Sequence, residues 1–154
     1  MNFVFNPKKH VIYEPLNKEK YKGNVFPIAR SSWEQNFYRW CDLNNSVISW
    51  VVEGLAIDYF DKVRRKKRKY YPDVMMVVKD KSGKDNVYII EIKPYKEISP
   101  PKIGKNKSEK TMLRESMTYQ TNVEKWKAAE LYCKKRGWIF RILTEKDLFK
   151  EGKP

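Results

Sequence analysis

Histidine and cysteine are scarce in this sequence. His10 is the single histidine, and the two cysteines, Cys41 and Cys133, lie far apart. Neither cysteine has a neighbour at ligand spacing, which argues against a zinc site. Two thiols inside helical patterns also make no disulfide framework; they read as buried thiols in a reducing cytoplasm. Long hydrophobic runs are missing as well. The longest, such as Val74 to Val78, are strand-sized rather than the ~20 residues of a membrane span. Met1 to Pro7 has no basic segment leading into an apolar one, so no secretion signal is expected. Acid is in deficit: 19 Asp and Glu stand against 33 Lys and Arg, a net charge of +14. That excess argues for a polyanion as partner, nucleic acid first and anionic membrane second.

What is present suits one folded domain. The 154 residues are 41% hydrophobic and 14% aromatic, too apolar for a disordered chain. Residues 1–29 are broken by Pro7, Pro15, Gly23 and Pro27, with Phe3, Phe5, Tyr13 and Phe26 available for packing, and read as an arm. Residues 30–150 read as the domain. Ser31 to Leu43 predicts a helix with Trp33, Phe37, Trp40 and Cys41 on one face. Ser31 and Glu34 in it fit a capping box. Val47 to Phe60 is β-rich, with a kink at Gly54. The basic run Lys62 to Lys69 reads as a solvated turn or loop. Tyr70–Lys79 and Asn86–Lys93 read as strands, nearly continuous in apolar residues as in a sheet centre. Pro94 to Lys107 is a loop. Ser108 to Arg136 is a long helical pattern with room for one break, stopped by Gly137. Trp138 to Leu143 is a short strand, and Thr144 to Leu148 a small helix. The order gives an α/β (α+β) class: a mixed central sheet with helices on its faces.

The connection between the two central strands carries most of the chemistry. Lys81-Ser82-Gly83 fits a three-residue hairpin loop with a left-handed glycine last. That loop places Asp73 opposite Glu91 and Tyr71 opposite Lys93, so Asp73, Glu91 and Lys93 share a face. A two-residue Ser82-Gly83 loop would turn the faces over. Carboxylates about 5 Å apart repel by roughly 3 kcal/mol at an effective dielectric near 20. Lys or Arg could sit between them, but a divalent cation suits clustered oxygens better. Mg²⁺ held by one or two carboxylates and phosphate oxygens is the usual phosphoryl-transfer arrangement, and Lys93 could orient water or stabilise charge on the phosphate. The bland alternatives are a turn dipeptide at Pro72-Asp73 and an exposed strand edge at Glu91 and Lys93.

Pro72-Asp73, a hairpin, then Glu91-Ile92-Lys93 resembles the PD-(D/E)xK nuclease motif. The order of helices and strands resembles that superfamily's α-β-β-β-α-β restriction-endonuclease-like core. Arg30 to Glu34, Tyr70 to Asp73, Tyr88 to Pro94, Arg136 to Trp138 and Leu143 to Glu145 together resemble the head completion nucleases of T-even-like tailed phages, over nearly the whole chain. TnsA-type endonucleases are similar at a greater distance. Ala29 stands where an aromatic is expected and Val74 where Phe is usual; neither carries chemistry. The resemblance implies a metal-dependent DNase acting in phage head completion and head–tail joining. Asp73 and Glu91 would bind the metal, Lys93 would be the catalytic lysine, and Glu34 would complete the acidic cluster, unless it serves only as a helix cap. The Ile92 carbonyl is a third candidate ligand. Mg²⁺ is the expected cofactor, with Mn²⁺ able to substitute. Expected partners are double-stranded DNA and portal, neck or other virion proteins, with no membrane. The place is the host cytoplasm during assembly, or the virion.

Arg64, Arg65, Lys66, Lys67, Arg68 and Lys69, with Lys102, Lys105, Lys107 and Lys110, are the candidate phosphate contacts. Such contacts give affinity and salt dependence without sequence reading. Glu53 could pair with Arg30. Gln120 and Asn122 either face substrate or form a polar helix face. Two rival functions stay open: a non-catalytic structural virion or DNA-binding protein, and a TnsA-like or junction-resolving nuclease that needs a partner.

Overall fold

The computed structural model describes residues 10–148. Phe3 and Phe5, expected to pack with the arm, lie outside them. Two short strands, β1 (Val11–Ile12) and β2 (Ile28–Ala29), pair antiparallel at the start of the described chain. Helix α1 (Ser32–Leu43) follows, its first turn closed by Ser31 Oγ, which accepts from Glu34 N at 3.1 Å. The Glu34 carboxylate accepts from Arg30 N at 2.7 Å, so the reciprocal bond falls one residue before the usual capping-box donor. The buried face of α1 carries Phe37, Tyr38, Cys41 and Asp42. Trp40, expected inside, is 45% exposed and stacks on Phe37 at the rim, because Tyr38 takes the inward position against Trp50.

The central sheet holds β3 (Val47–Val52), β6 (Val74–Lys79), β7 (Asp85–Ile92) and β8 (Ile139–Leu143), in that spatial order. The first three are antiparallel; β8 runs parallel to β7 after the crossover helix α2 (Glu109–Arg136). Helix α3 (Glu145–Leu148) follows β8. This is the mixed sheet flanked by helices that the sequence predicts. Two elements differ. Val47 to Phe60 is two strands, and the basic run expected as a loop is largely a strand. β4 (Ile57–Asp61) and β5 (Lys66–Tyr70) form a separate two-stranded ribbon inserted between β3 and β6. Ile57, Tyr59, Asp61 and Tyr70 are buried, so the ribbon has an inner face although nearly every β5 side chain is basic. Tyr70 and Val74 therefore belong to different sheets. Pro72 between them has no N–H to give a ladder. The long helix, expected to allow a break, is continuous from its Ser108 cap to Gly137, whose φ of 69° closes it in the left-handed region.

The β6–β7 register follows from the turn. Gly83 has φ 85°, and its N–H donates to Asp80 O at 3.0 Å. The Asp80 carboxylate accepts from Ser82 N and Lys84 N at 2.9 and 3.0 Å. Pairing then runs from Lys79↔Asp85 to Val74↔Ile90. One step further brings Asp73 to Glu91, as the three-residue loop predicts and the two-residue loop does not.

The stretch before α1 is tied to the core. Asp42, at 0% exposure, accepts from Tyr13 OH and Leu16 N, both at 2.7 Å, and from Asn17 N at 2.9 Å. Tyr13, Tyr21 and Tyr38 surround the buried Trp50.

Candidate active site

Asp73 sits just before β6, Glu91 at the end of β7 and Lys93 one residue past it, its N–H still donating to Leu143 O at 2.9 Å. A residue and its second neighbour on a strand share a face, so Glu91 and Lys93 point together. Their closest approach, Oε1 to Nζ, is 3.8 Å. Asp73 is half-buried, Glu91 buried, and the Lys93 side chain 28% exposed. Asp73 Oδ2 accepts from Ile92 N at 2.6 Å, and Glu91 Oε2 accepts from Tyr70 OH at 2.5 Å. In an extended residue the N–H and C=O leave toward the same strand edge. The Ile92 carbonyl therefore points to the edge where Asp73 stands and β6 has not yet begun.

The electrostatics are those of an under-compensated acidic pair. Burial, then the Glu91 charge, pushes the Asp73 carboxyl well above the ordinary carboxylate range, against the opposing Ile92 N–H. Burial also raises Glu91, against the Tyr70 hydroxyl and the charges of Lys93 and Lys125. Glu34 is raised by burial, its Arg30 N–H bond opposing, and its charge reaches both Asp73 and Glu91. Helix capping and proximity to the pair thus coexist in Glu34. Among the described residues no three His, Cys, Asp or Glu side chains converge tightly enough to cage a metal alone. Two carboxylates and a carbonyl are what the geometry offers.

The remaining candidates separate. Glu53 accepts from Arg30 Nη1 at 3.0 Å. Its own φ is 51°, and its N–H donates to Asp73 O at 3.1 Å, which ties the end of β3 to the Asp73 backbone. Gln120 is exposed and donates to Glu124. Asn122 is buried and borders a cavity of about 740 Å³ between α2 and the 95–107 loop. Lys102 and Lys107 line that cavity; Lys107 pairs with Glu115 at 2.8 Å, and Lys105 and Lys110 are exposed. Arg64, Arg65, Lys66, Lys67, Arg68 and Lys69 are all exposed on the ribbon and its turn.

Two residues were not predicted here from sequence. Tyr70 reaches Glu91 from the ribbon. Lys125, half-buried on α2, lies with its ammonium 5.7 Å from the Tyr70 ring centroid. Burial lowers Lys125 below the ordinary lysine value, with Glu91 opposing and Lys93, Arg68 and Arg64 adding to the lowering. The position of Tyr70 two residues before the Pro72-Asp73 motif was the available signal for the first. Lys125 is distant in sequence and carried none.

The model of the TnsA-like endonuclease N-terminal domain matches residues 44–145, a span that carries Asp73, Glu91, Lys93 and Lys125 and begins after Glu34. The head completion nuclease of Enterobacteria phage T4 is 42% identical over 138 residues, covering 87% of this chain and 89% of that protein. The described helices include none long and apolar enough to cross a membrane. An acidic pair on adjoining strands, a lysine on the same face, and these two matches lead to one statement: the chain belongs to the TnsA-like endonuclease family.

Proposed function

We propose that this protein is a metal-dependent DNA nuclease of phage head completion, with Asp73, Glu91 and Lys93 at its centre. The observation that carries the reading is the acidic pair: two shielded carboxylates held side by side by the β6–β7 register, each with an oxygen left over. The Ile92 N–H takes one Asp73 oxygen and the Tyr70 hydroxyl one Glu91 oxygen. The remaining oxygens, with the Ile92 carbonyl, suit a hard divalent cation that keeps open positions for water and phosphate. Asp73, Glu91 and Ile92 would hold Mg²⁺, or Mn²⁺ in its place, with Glu34 at the margin. Such an ion supplies a water of lowered pKa and neutralises charge on the phosphate.

The protein's own groups do the rest. Lys93 offers N–H donors on the face of the pair, where it orients the attacking water and stabilises charge building on the phosphoryl oxygens. Tyr70 fixes the Glu91 rotamer through its hydroxyl. Glu53 N and Ile92 N pin Asp73 from its backbone and its side chain. The catalytic unit is residues 30–150. The described part of the arm braces it through the Asp42 contacts. DNA is the substrate, bound with little sequence preference, and both endonucleolytic and exonucleolytic cutting are open to this site. The setting is the host cytoplasm where heads are assembled, with portal or neck proteins as partners.

A plasmid nicking assay at low salt, with Mg²⁺ or with EDTA, tests this. The expected result is cutting that needs the ion and falls on the order of 10³-fold in Asp73→Ala and in Lys93→Ala. Full activity in either folded variant sinks the site assignment. The family match to a TnsA-like domain favours a second reading, a nuclease that works with a partner. It predicts salt-sensitive DNA binding without cutting by the isolated chain.

A further inference from the structure

The inner face of the β4–β5 ribbon carries a charge arrangement that the acidic pair does not use. Asp61 lies at the periphery of the fold, yet its side chain is 0% exposed, because its own turn and two guanidiniums cover it. Its Oδ1 accepts from Val63 N at 3.0 Å and Arg64 N at 3.1 Å. Its Oδ2 accepts from Arg64 Nη1 at 2.9 Å and Arg68 Nη1 at 3.3 Å. One carboxylate thus fixes two arginines, and each keeps further N–H donors free of it. Arg68 pairs across the ribbon with Tyr59 and lies two residues from Tyr70, so all three share the inner face. Helix α2 packs on this face, anchored by Lys62–Glu124 at 3.4 Å. From α2 comes Lys125, whose ammonium lies 5.7 Å from the ring centroid of Tyr70 on this face, and the charges of Glu91, Arg68 and Arg64 all act on it. Among the described residues Lys125 makes no ion pair. Three cations against one carboxylate leave a positive patch beside Tyr70, which reaches Glu91. Two strand residues, about 6.8 Å, separate the Arg68 position from the Tyr70 position that reaches Glu91. That is comparable to the separation of neighbouring phosphates along one nucleic-acid strand.

We propose that Arg64, Arg68 and Lys125 form a second anion site that holds one phosphodiester of the cleaved strand, next to the scissile one. The inference rests on the nuclease reading and adds where the strand runs: from the acidic pair along the edge of the ribbon's inner face, past the exposed heads of Arg68 and Arg64. Asp61 is a positioning residue that keeps the two forks aimed. The outer-face lysines, Lys67 and Lys69, belong to general attraction.

The test uses the full chain and a short DNA duplex, with binding followed by fluorescence anisotropy in EDTA over a salt series. Binding read this way does not depend on cutting. Three cations serving one phosphate predict that R64Q/R68Q/K125Q lowers the slope of log affinity against log salt by about 1. A drop near 3 means three separate phosphates, and no drop means no contact; either overturns the proposal. Should the triple variant fail to fold with Asp61 unpaired, D61N/R64Q/R68Q/K125Q removes that charge and is read the same way. Cutting supplies the second arm. Duplexes with a single methylphosphonate on either side of the mapped cut should lose about tenfold in kcat/KM at one of the two positions. In R64Q/R68Q/K125Q the same replacement should cost less than about twofold, while K67Q keeps the wild-type loss. Equal losses in wild type and the triple variant overturn the proposal. A chain that binds with the predicted slopes but never cuts loses the nuclease reading and keeps the anion site.

Discussion

Two acidic sites of this fold, Asp42 and the pair Asp73 and Glu91, receive opposite treatment. Asp42 is enclosed by donors. Burial alone would raise its proton affinity, but Tyr13 OH, Leu16 N and Asn17 N more than offset it and hold the carboxyl below its ordinary value. Asp73 and Glu91 receive one short hydrogen bond each and face one another, and both carboxyls are raised. Donors outweigh burial at Asp42; at Asp73 and Glu91 burial outweighs the single donor, and at Asp73 the facing charge adds to it. The first site is saturated and ties the arm to α1. The second is left short of positive charge, which is a cost in the folded chain and an opening for a cation.

The largest way to break this contrast is Asp42→Ala. Removing the carboxylate strands three donors, and about 3–5 kcal/mol of stability should be lost. Urea unfolding should show it as a lower midpoint; an unchanged midpoint would mean that the arm contributes nothing.

Asp73→Asn should act the other way. A carboxyl raised in the native state binds its proton more tightly there than in the unfolded chain. Its contribution therefore falls as pH rises from the ordinary value of 3.8 toward the raised one. Asp42, being lowered, contributes above 3.8 and loses that contribution as pH falls. Metal-free protein should accordingly lose stability on going from about pH 5 to pH 8, and Asp73→Asn should recover about 1–3 kcal/mol at the higher pH. Equal stability differences between variant and wild type at the two pH values would contradict the raised carboxyl. Added Mg²⁺ should stabilise wild type more at pH 8 than at pH 5.

Glu34→Gln gives the smallest stability effect and sharpens the comparison. A glutamine oxygen still accepts from Arg30 N, so stability should move by less than about 1 kcal/mol. Cleavage should fall about tenfold, because the third negative charge near the pair is gone. Unchanged cleavage would leave Glu34 as a helix cap alone.

The centre of the site was legible because a local rule governs it. Gly83 fixes the loop, the loop fixes the register, and the register brings Asp73 to Glu91. Local rules failed where a partner far along the chain decides. The run Lys66 to Lys69 has the composition of a solvated loop, yet it is a strand because Ile57, Tyr59 and Tyr70 bury one face of the ribbon under α2. Tyr70 and Val74 looked continuous because both are apolar strand formers; Pro72 divides them. Lys125 could not be seen at all, since its neighbours Tyr70 and Arg68 come from a different sheet and nothing in the helix marks that turn. Trp40 was misplaced because periodicity alone does not decide which flank of an aromatic helix meets Trp50.

The turn at Asp80–Lys84 has a wider consequence. Both carboxylates and the lysine lie on the two arms of one hairpin, and their relative placement is quantised by the peptide unit. Drift in the rest of the molecule can slide helices or exchange the inserted ribbon without changing that placement. A single inserted residue in the turn, by contrast, would move one arm by a whole step and carry Glu91 to the opposite face. The segment from Asp73 to Lys93 therefore behaves as a cassette: it can be inherited, or transplanted onto another sheet, as one piece, and it fails as one piece.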